Sequence, residues 1–486
     1  MAGDKHRLDV TSIQQELLQI KAKKQSLCIR SNKSSNSLRK NEYRNTLPRL
    51  SVNKLNRILG VDVEKRVVSV EPHVTMEQLA QATLPYGYLP PVVPEFKGIT
   101  VGGAIMGAAI ESSSYRYGQF NDACLAMEVL LGDGQVITAT PKQYDDLFYG
   151  LSSSYGTLGV LTAVDIALVP AEKWVELTCR ELSSVNAAIA YMVKLTSRGD
   201  APDFLEAIVY SKERIIVISG RMRKEKAAHA PELNHCSSTQ PWYYCYIDEL
   251  LKNSQQKNAV QFYMPIYDYL FRHNRGAFWM GAYALRFPFL ASFVLENYFP
   301  KSRSMQNWLL QANESLFRPK YPGPIFRKLF GRLMESQKLY QIMHANSTEK
   351  WFGERFVIQD FYITEGQAAN FIEESLNETG ITPIWICPVK AAKEPQILSP
   401  HYQSNPGLLF DVGIYGYPQH RKGFEATRKL EDLTTTYKGK KMLYSHSYYT
   451  PDEFWKIYSL PAYQQLRKKY NAEGVFKEIT EKVLRP

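Results

Sequence analysis

Glycine and serine crowd two short stretches of this chain, and that crowding limits the possible folds more than any other feature. The longer stretch runs from Thr100 through Val101, Gly102, Gly103, Ala104, Ile105, Met106 and Gly107 to Ser112, Ser113, Ser114, Tyr117 and Gly118. It follows residues 85–94, whose four prolines demand an extended, rigid approach. The shorter stretch, residues 152–159, repeats the composition with three serines, Gly156, Thr157 and Gly159, and leads into an apolar strand at Val160. Glycine lets backbone N–H groups come close to an anion, and Ser or Thr hydroxyls add hydrogen bonds without bulk. A helix beginning near Gly103 would aim its positive end at the same anion. The spacing G-G-x-x-x-G also serves close helix packing. Two loops of like composition in one small region favour a dinucleotide-type ligand. No G-x-G-x-x-G follows a strand, which excludes the Rossmann form of such a site.

The flanking pattern is mixed. Val10, Ile13, Leu17, Leu18 and Ile20 recur mostly at helical spacing over residues 9–23. Residues 26–30 read as a short strand, and 31–41 as a polar loop. Thr75 and Gln78 make a capping box before a helix over 76–84. Residues 127–131 and 135–139 read as strands joined at Gly132, Asp133 and Gly134, and 160–169 as a further strand stopped by Pro170. Residues 1–172 are therefore predicted to form one compact α+β unit. Beyond it, 201–220 and 355–390 are expected in a second sheet, with 240–345 and 420–470 helical. A chain of 486 residues suits two or three domains.

Composition narrows the function classes. Aromatic residues make up 12% of the chain, enough for a large core and for a pocket that takes a flat or greasy ligand. The net charge of +11 favours anionic partners, but the basic residues are scattered and match no nucleic-acid-binding signature, so no nucleic acid is expected. Six cysteines lie far apart with no C-x-x-C pair, which reads as reduced thiols in a cytoplasmic protein with no metal site. The polar N-terminus is no secretory signal, and no uncharged run is long enough to span a bilayer. A soluble protein, or one peripheral to a membrane, is expected.

Four motifs occur in order over about 65 residues: Ile99-Thr-Val-Gly-Gly, Ser113-Ser-Tyr-Arg-Tyr-Gly118, Leu130-Leu-Gly-Asp-Gly134 and Gly156-Thr-Leu-Gly-Val-Leu-Thr162. This region resembles the FAD-binding domain of the vanillyl-alcohol-oxidase/p-cresol-methylhydroxylase (PCMH) superfamily. Within it the chain is similar to the Δ24-sterol reductase family, through residues 100–114, Val70-Glu-Pro-His-Val-Thr-Met76 and Leu89-Pro-Pro-Val-Val-Pro-Glu95. The likeness continues in Arg272-His-Asn-Arg-Gly-Ala-Phe-Trp279, Pro383-Ile-Trp-Ile-Cys-Pro388, Asp411-Val-Gly-Ile-Tyr-Gly416 and Glu453-Phe-Trp455, so it covers nearly the whole chain. It implies an α+β fold: a two-subdomain PCMH-type FAD-binding domain (1–172), a larger α+β substrate domain (173–430), and a C-terminal helical segment (431–486) closing over the flavin site. The flavin would lie on Thr100 to Gly107, Ser112 to Ser114, Tyr117, Gly118, Gly156, Thr157, Gly159 and Val160. Neither loop contains His or Cys, so the FAD is expected to be non-covalent, with His73 structural. Two departures stand out. The membrane anchor with which eukaryotic members begin is not seen, and the first pyrophosphate loop, near residues 30–38, has Ser and Asn where many members have Gly.

The resemblance implies NADPH-dependent reduction of a carbon–carbon double bond in a sterol or related lipid side chain. An isolated alkene accepts hydride poorly, so a general acid in a dry pocket must first protonate it. Tyr415, Tyr444, His446, His273 and Asp360 are the candidates. Arg272 and Arg275 could hold the nicotinamide dinucleotide phosphate, or form ordinary salt bridges. Residues 278–299 and 321–333 mix Phe and Leu with Arg and Lys, as suits contact with an anionic membrane or packing on the protein's own surface. Two alternatives remain open at this stage: a flavin oxidase or dehydrogenase of an alcohol or sugar acid, and a reductase of an unsaturated or methylene-branched acyl lipid.

Overall fold

The computed structural model describes residues 2–30, 47–235, 237–254, 259–283, 322–343, 355–403, 407–419 and 421–484. The proposed first pyrophosphate loop, the polar loop at 31–41, most of 278–299 and Cys236 lie outside those residues.

Among the described residues, seventeen strands fall into two large sheets and two small ones. A parallel pair joins β1 (Cys28–Arg30) to β2 (Arg49–Ser51). The first large sheet, of five strands, contains β3 (Ile58–Asp62), β4 (Val67–Val70), β6 (Cys124–Leu130), β7 (Val136–Ala139) and β8 (Val160–Ala167) in the order β3-β4-β8-β6-β7. Between them β5 (Tyr88–Leu89) pairs with β9 (Val169–Pro170). The second large sheet has eight strands: β10 (Trp174–Leu182), β11 (Phe204–Ser211), β12 (Arg214–Arg223), β13 (Ala259–Pro265), β14 (Val357–Thr364), β15 (Ile384–Lys390), β16 (Leu408–Gly416) and β17 (Lys440–Lys441). Their order is β13-β10-β12-β11-β15-β16-β14-β17, antiparallel throughout.

Local chemistry explains several boundaries. The β6–β7 turn closes with Gly134 at φ 93° and with Gln135 N–H donating to Asp133 Oδ1 at 2.9 Å. Thr75 and Gln78 form the expected capping box on helix Met76–Thr83. The N-terminal helix, Ala2–Ala22, starts well before the apolar pattern does. Its first turns are held by polar contacts: His6 lies between Glu71 (2.8 Å) and Glu128 (3.0 Å), while Asp9 pairs with Arg57 at 2.8 Å. Val10, Ile13 and Leu17 of that helix share a core with Leu130, Val160, Ala472, Val475 and Phe476, so both ends of the chain pack against the five-stranded sheet.

The eight-stranded sheet is buried on both faces, and the two-residue period of a strand divides them cleanly. Val357, Phe361, Ile384, Ile386, Val412 and Ile414 face helices Val185–Thr196, Glu365–Thr379 and Gly423–Thr436. Residues between them, including Ile358, Tyr362, Trp385, Cys387 and Tyr415, join the core shared with the five-stranded sheet. Two sequence expectations need correction. Residues 240–345 are not wholly helical: after helix Tyr243–Asn253 comes β13, an edge strand whose alternating Val260, Phe262 and Met264 are buried. Residues 355–390 are not one run of strand, because helix Glu365–Thr379 carries the chain from β14 to β15.

Candidate functional site

A cavity of about 390 Å³ opens between the glycine-rich loops and the inner face of the eight-stranded sheet. Thr100, Gly102, Gly103, Met106 and Gly107 form one wall, and Tyr155, Gly156, Gly159 and Val160 another. The opposite wall is aromatic and carries acids: Phe96, Phe278, Tyr340, Trp385, Tyr415 and Tyr444 stand around Glu95 and Asp360. Phe278 is the centre of the ring cluster, with centroids 5.7 Å from Phe96, 5.3 Å from Trp385 and 5.1 Å from Tyr415.

Backbone strain collects around this space. Ala108, Ser153, Tyr155, Ala277 and Phe278 all hold positive φ (59°, 58°, 52°, 44° and 61°) without being glycine. Such conformations persist only where the surroundings over-determine them, and they gather at ligand sites.

The glycine loop works differently from the sequence expectation. Its helix, Val101–Met106, begins two residues before Gly103, with Thr100 as N-cap. Gly102 N–H donates to Pro72 O at 2.8 Å and Gly103 N–H to Thr100 Oγ1 at 3.1 Å, so these amides are already used within the protein. What Gly102 supplies is room: a Cβ there would meet Pro72 Cβ at 2.9 Å. Val101, Ala104 and Ile105 are buried in the core beneath the loop. The three serines fold the next turn rather than line the cavity. Ser112 Oγ bonds Glu111 (2.7 Å) and Tyr269 (2.8 Å), Ser113 Oγ donates to Pro91 O, and Ser114 Oγ accepts from Glu111 N–H. Gly118, at φ 81°, leaves no space for a side chain beside Asp122, and Tyr117 and Thr157 also lie outside the cavity wall.

On the acid wall, Asp360 of β14 accepts hydrogen bonds from both tyrosines. Tyr415 O–H reaches its Oδ1, and Tyr444 O–H reaches its Oδ2 at 2.5 Å. Gly413, opposite Asp360 in the β14–β16 register, makes this possible, because a Cβ there would fall on the Tyr415 hydroxyl and 2.9 Å from Asp360 Oδ1. Burial pushes the Asp360 carboxyl up to about 6 even though Tyr415 and Tyr444 both donate to it. Burial and the nearby Asp360 raise both phenols well above their usual range. Glu95 is pushed up as well, by burial that Arg272 only partly offsets, and among the described residues its Oε1 has no hydrogen-bond partner, with Arg272 4.0 Å away.

The other sequence candidates sit elsewhere. His273 is buried behind Phe278, stacked on it at 4.1 Å, and its Nε2 lies 3.2 Å from Glu206; burial lowers its pKa to about 4 against the pull of Glu206. His446 is outside the cavity wall, and its carbonyl accepts from Gln359 and Lys441. Arg272 is fully buried, with Nε donating to Glu206 Oε1 at 2.8 Å and NH2 to Oε2 at 2.9 Å. Arg275 donates to the carbonyls of Ser237 and His235. Neither arginine is placed to take up a phosphate. Sequence reasoning gave no site role to Glu95, Tyr340, Lys482 or Cys28 and read His73 as structural, yet all five line the cavity. Asp411, Gly413 and Tyr415 are legible in hindsight, since alternate residues of a strand share a face.

A slot with glycine backbone on one side and stacked rings on the other fits a flat, partly polar ring system such as a flavin. In the aromatic wall Glu95 Oε1, which has no hydrogen-bond partner among the described residues, is placed to meet a ligand's polar edge. Comparisons with known proteins agree. Residues 9–140 match the FAD binding domain family. The chain is 30% identical over 430 residues to the Delta(24)-sterol reductase of Homo sapiens, covering 88% of this chain and 76% of that protein. It is 29% identical over 459 residues to the Delta(24)-sterol reductase of Pisum sativum, covering 88% and 75%. Over a shorter span of 120 residues it is 37% identical to the decaprenylphosphoryl-beta-D-ribose oxidase of Mycolicibacterium smegmatis, covering 24% of this chain and 26% of that one.

Proposed function

We infer that this chain, which belongs to the Δ24-sterol reductase family, is an FAD-dependent oxidoreductase that reduces a double bond in a sterol side chain, with NADPH as the electron donor. The observation that carries the reading is the hydrogen-bonded set Tyr415–Asp360–Tyr444 in the cavity wall, across from the glycine-rich loops. An oxidase of alcohols needs a base to take a proton, whereas an alkene reductase needs a group that holds one. A carboxyl raised by burial, between two phenols raised by the same burial, is suited to holding a proton near neutral pH.

The flavin would rest on Thr100, Gly102, Gly103, Met106 and Gly107 and on Gly156, Gly159 and Val160, held without a covalent bond. When bound and reduced it supplies a hydride. The protein's residues do the rest. Phe278, Trp385 and Tyr340 keep water from the alkene and orient a greasy side chain. A tyrosine hydroxyl, backed by Asp360, gives its proton to the less substituted alkene carbon, and the rings around Phe278 face the positive charge that builds beside it. We assign residues 1–172 to the flavin domain, 173–430 to the substrate domain and 431–486 to a segment closing the site. Lys482, which donates to Tyr155 O at 2.7 Å, supports that last assignment. The lipid would arrive from a membrane surface. Helix Pro324–Phe330 leaves Ile325 78% and Leu329 67% exposed, and its Arg327 and Lys328 complement an anionic bilayer. Among the described residues no helix is long and apolar enough to cross a membrane.

Anaerobic stopped-flow absorbance tests the reading. NADPH should bleach the flavin, and a Δ24-unsaturated sterol in detergent should restore its colour. Asp360→Asn should still bleach but recolour far more slowly. A flavin that oxidisable alcohols bleach and NADPH does not would place the protein with the oxidases instead.

A further inference from the structure

The reading above leaves Asp411 unused. Its side chain is fully buried on the same face of β16 as Tyr415, yet it does not reach the cavity wall. Neither of its oxygens meets a donor group among the described residues. In the β14–β16 register Asp360 lies opposite Gly413 and Asp411 opposite Tyr362, so the two carboxyls share one face of adjacent strands, and Asp360 is itself already an acceptor for two tyrosines. Two carboxylates offer only acceptors, so a hydrogen bond between them requires a proton on one.

Among the described residues no cation is hydrogen-bonded to either carboxyl, and Lys441, which acts on Asp360 through its charge, offsets burial only in part. Lys441 of β17 is committed to Glu431 at 2.9 Å and to His446 O at 2.6 Å, and Arg272 to Glu206. The remaining titratable groups acting on the pair add no positive charge: Tyr362 of β14, Cys387 of β15, Tyr340 of helix Ser336–Met343, and Glu95 from the proline-rich approach. Burial, then the neighbouring Asp360, holds the Asp411 carboxyl well above the usual carboxylate range.

We propose that Asp360 and Asp411 hold one proton between them, and that this pair is the store that recharges the tyrosine hydroxyl after each reduction. The proposal rests on the function inferred above and adds a source for its proton. The alkene's π electrons form a C–H bond to the tyrosine proton as the O–H bond breaks. The phenolate takes the one shared proton of the pair through Asp360, leaving two carboxylates. One proton from solvent reloads the pair, and the second hydrogen of the product is the hydride from the cofactor. Asp411 touches neither substrate nor flavin, so it is a positioning residue that acts through Asp360.

Asp411→Asn keeps the shape and removes the stored proton. In the flavin-loaded variant, bleaching by NADPH should match the parent. The rate of recolouring by sterol should fall about tenfold per pH unit once Asp360 has ionised, while the parent, with the proton of Asp411 in reserve, holds its rate to higher pH. A readout independent of turnover is the infrared C=O band of a protonated carboxyl at neutral pH, shifted by D2O. It should be present in the parent and reduced in Asp411→Asn. An unchanged pH profile with an unchanged band overturns the proposal. So does a parent protein with no such band at all, a measurement that stands even if the variant does not fold. If sterol recolours neither protein while the band behaves as expected, the shared proton stands and the assigned reaction fails.

Discussion

Two clusters of buried carboxyls lie on the same face of the eight-stranded sheet, and they behave in opposite ways. On β11, Glu206 meets a bidentate Arg272 and receives the Trp385 indole N–H at 2.8 Å, with His273 3.2 Å away. Burial alone would raise this carboxyl, but Arg272 and then His273 reverse the sign and hold it well below the usual range. On β14 and β16, Asp360 and Asp411 have phenols and each other for neighbours, and among the described residues no cation is hydrogen-bonded to them. Burial then wins, and the pair keeps a proton. The same desolvation produces a permanent charge where an arginine answers it and a proton store where none does. The first cluster is architecture, tying the segment after β13 to the sheet and, through Arg272 NH1 at 3.5 Å, to Glu111 beside the glycine-rich loop. The second is chemistry.

The contrast can be broken at its strongest point. Arg272→Met would strand Glu206 and Glu111 and should cost about 3–5 kcal/mol of stability, read by denaturant unfolding. A stable Arg272→Met protein with an altered recolouring rate would assign chemistry to the wrong cluster. Gly413→Ala tests the second cluster sterically. Its Cβ must displace Tyr415 from Asp360, and a misplacement of about 1 Å should slow recolouring by about 10²-fold while flavin binding is kept.

Stability against pH separates the clusters by sign. Glu206 is lowered in the folded state, so its contribution is present above the unfolded carboxylate value of about 4 and lost as pH falls. Asp360 is raised to about 6, so its contribution is present below about 4 and is lost as pH rises through about 6. Asp411→Asn should flatten part of that decline, by on the order of 1–3 kcal/mol in equilibrium unfolding curves above neutrality. The smallest effect is expected at His446, outside both clusters. For His446→Gln the recolouring rate should stay within about threefold of the parent, since a group with no contact to the reacting atoms contributes little to the barrier. A larger loss would bring that histidine back among the acids.

How much of this could be read from the chain depends on the kind of interaction. The hairpin at Gly132, Asp133 and Gly134 and the capping box at Thr75 depend on neighbours in sequence, and they stand where the pattern predicts. The apolar pattern marks less than the whole of helix Ala2–Ala22, because His6 and Asp9 are polar and their partners, Glu71, Glu128 and Arg57, are distant in sequence. Strand β13 was missed because an edge strand between helices carries only three buried alternating residues. Of the site, Tyr415 and Tyr444 were named from resemblance, but nothing local tells them from His273 or His446.

The sequence by itself determined that backbone would be bare near residues 100–107 and 156–159, that rings would be plentiful, and that the chain would be mixed α and β. Those are properties of residue type and short-range spacing. Tertiary structure alone decided that the loop amides would be spent on Pro72 and Thr100, that Phe278 would stand in front of His273, that Arg272 would answer Glu206, and that Asp411 would share a strand face with Asp360. The physical reason is that a carboxyl's protonation depends on what surrounds it once water is gone, and strands brought together from residues 204–211, 357–364, 384–390 and 408–416 supply those surroundings.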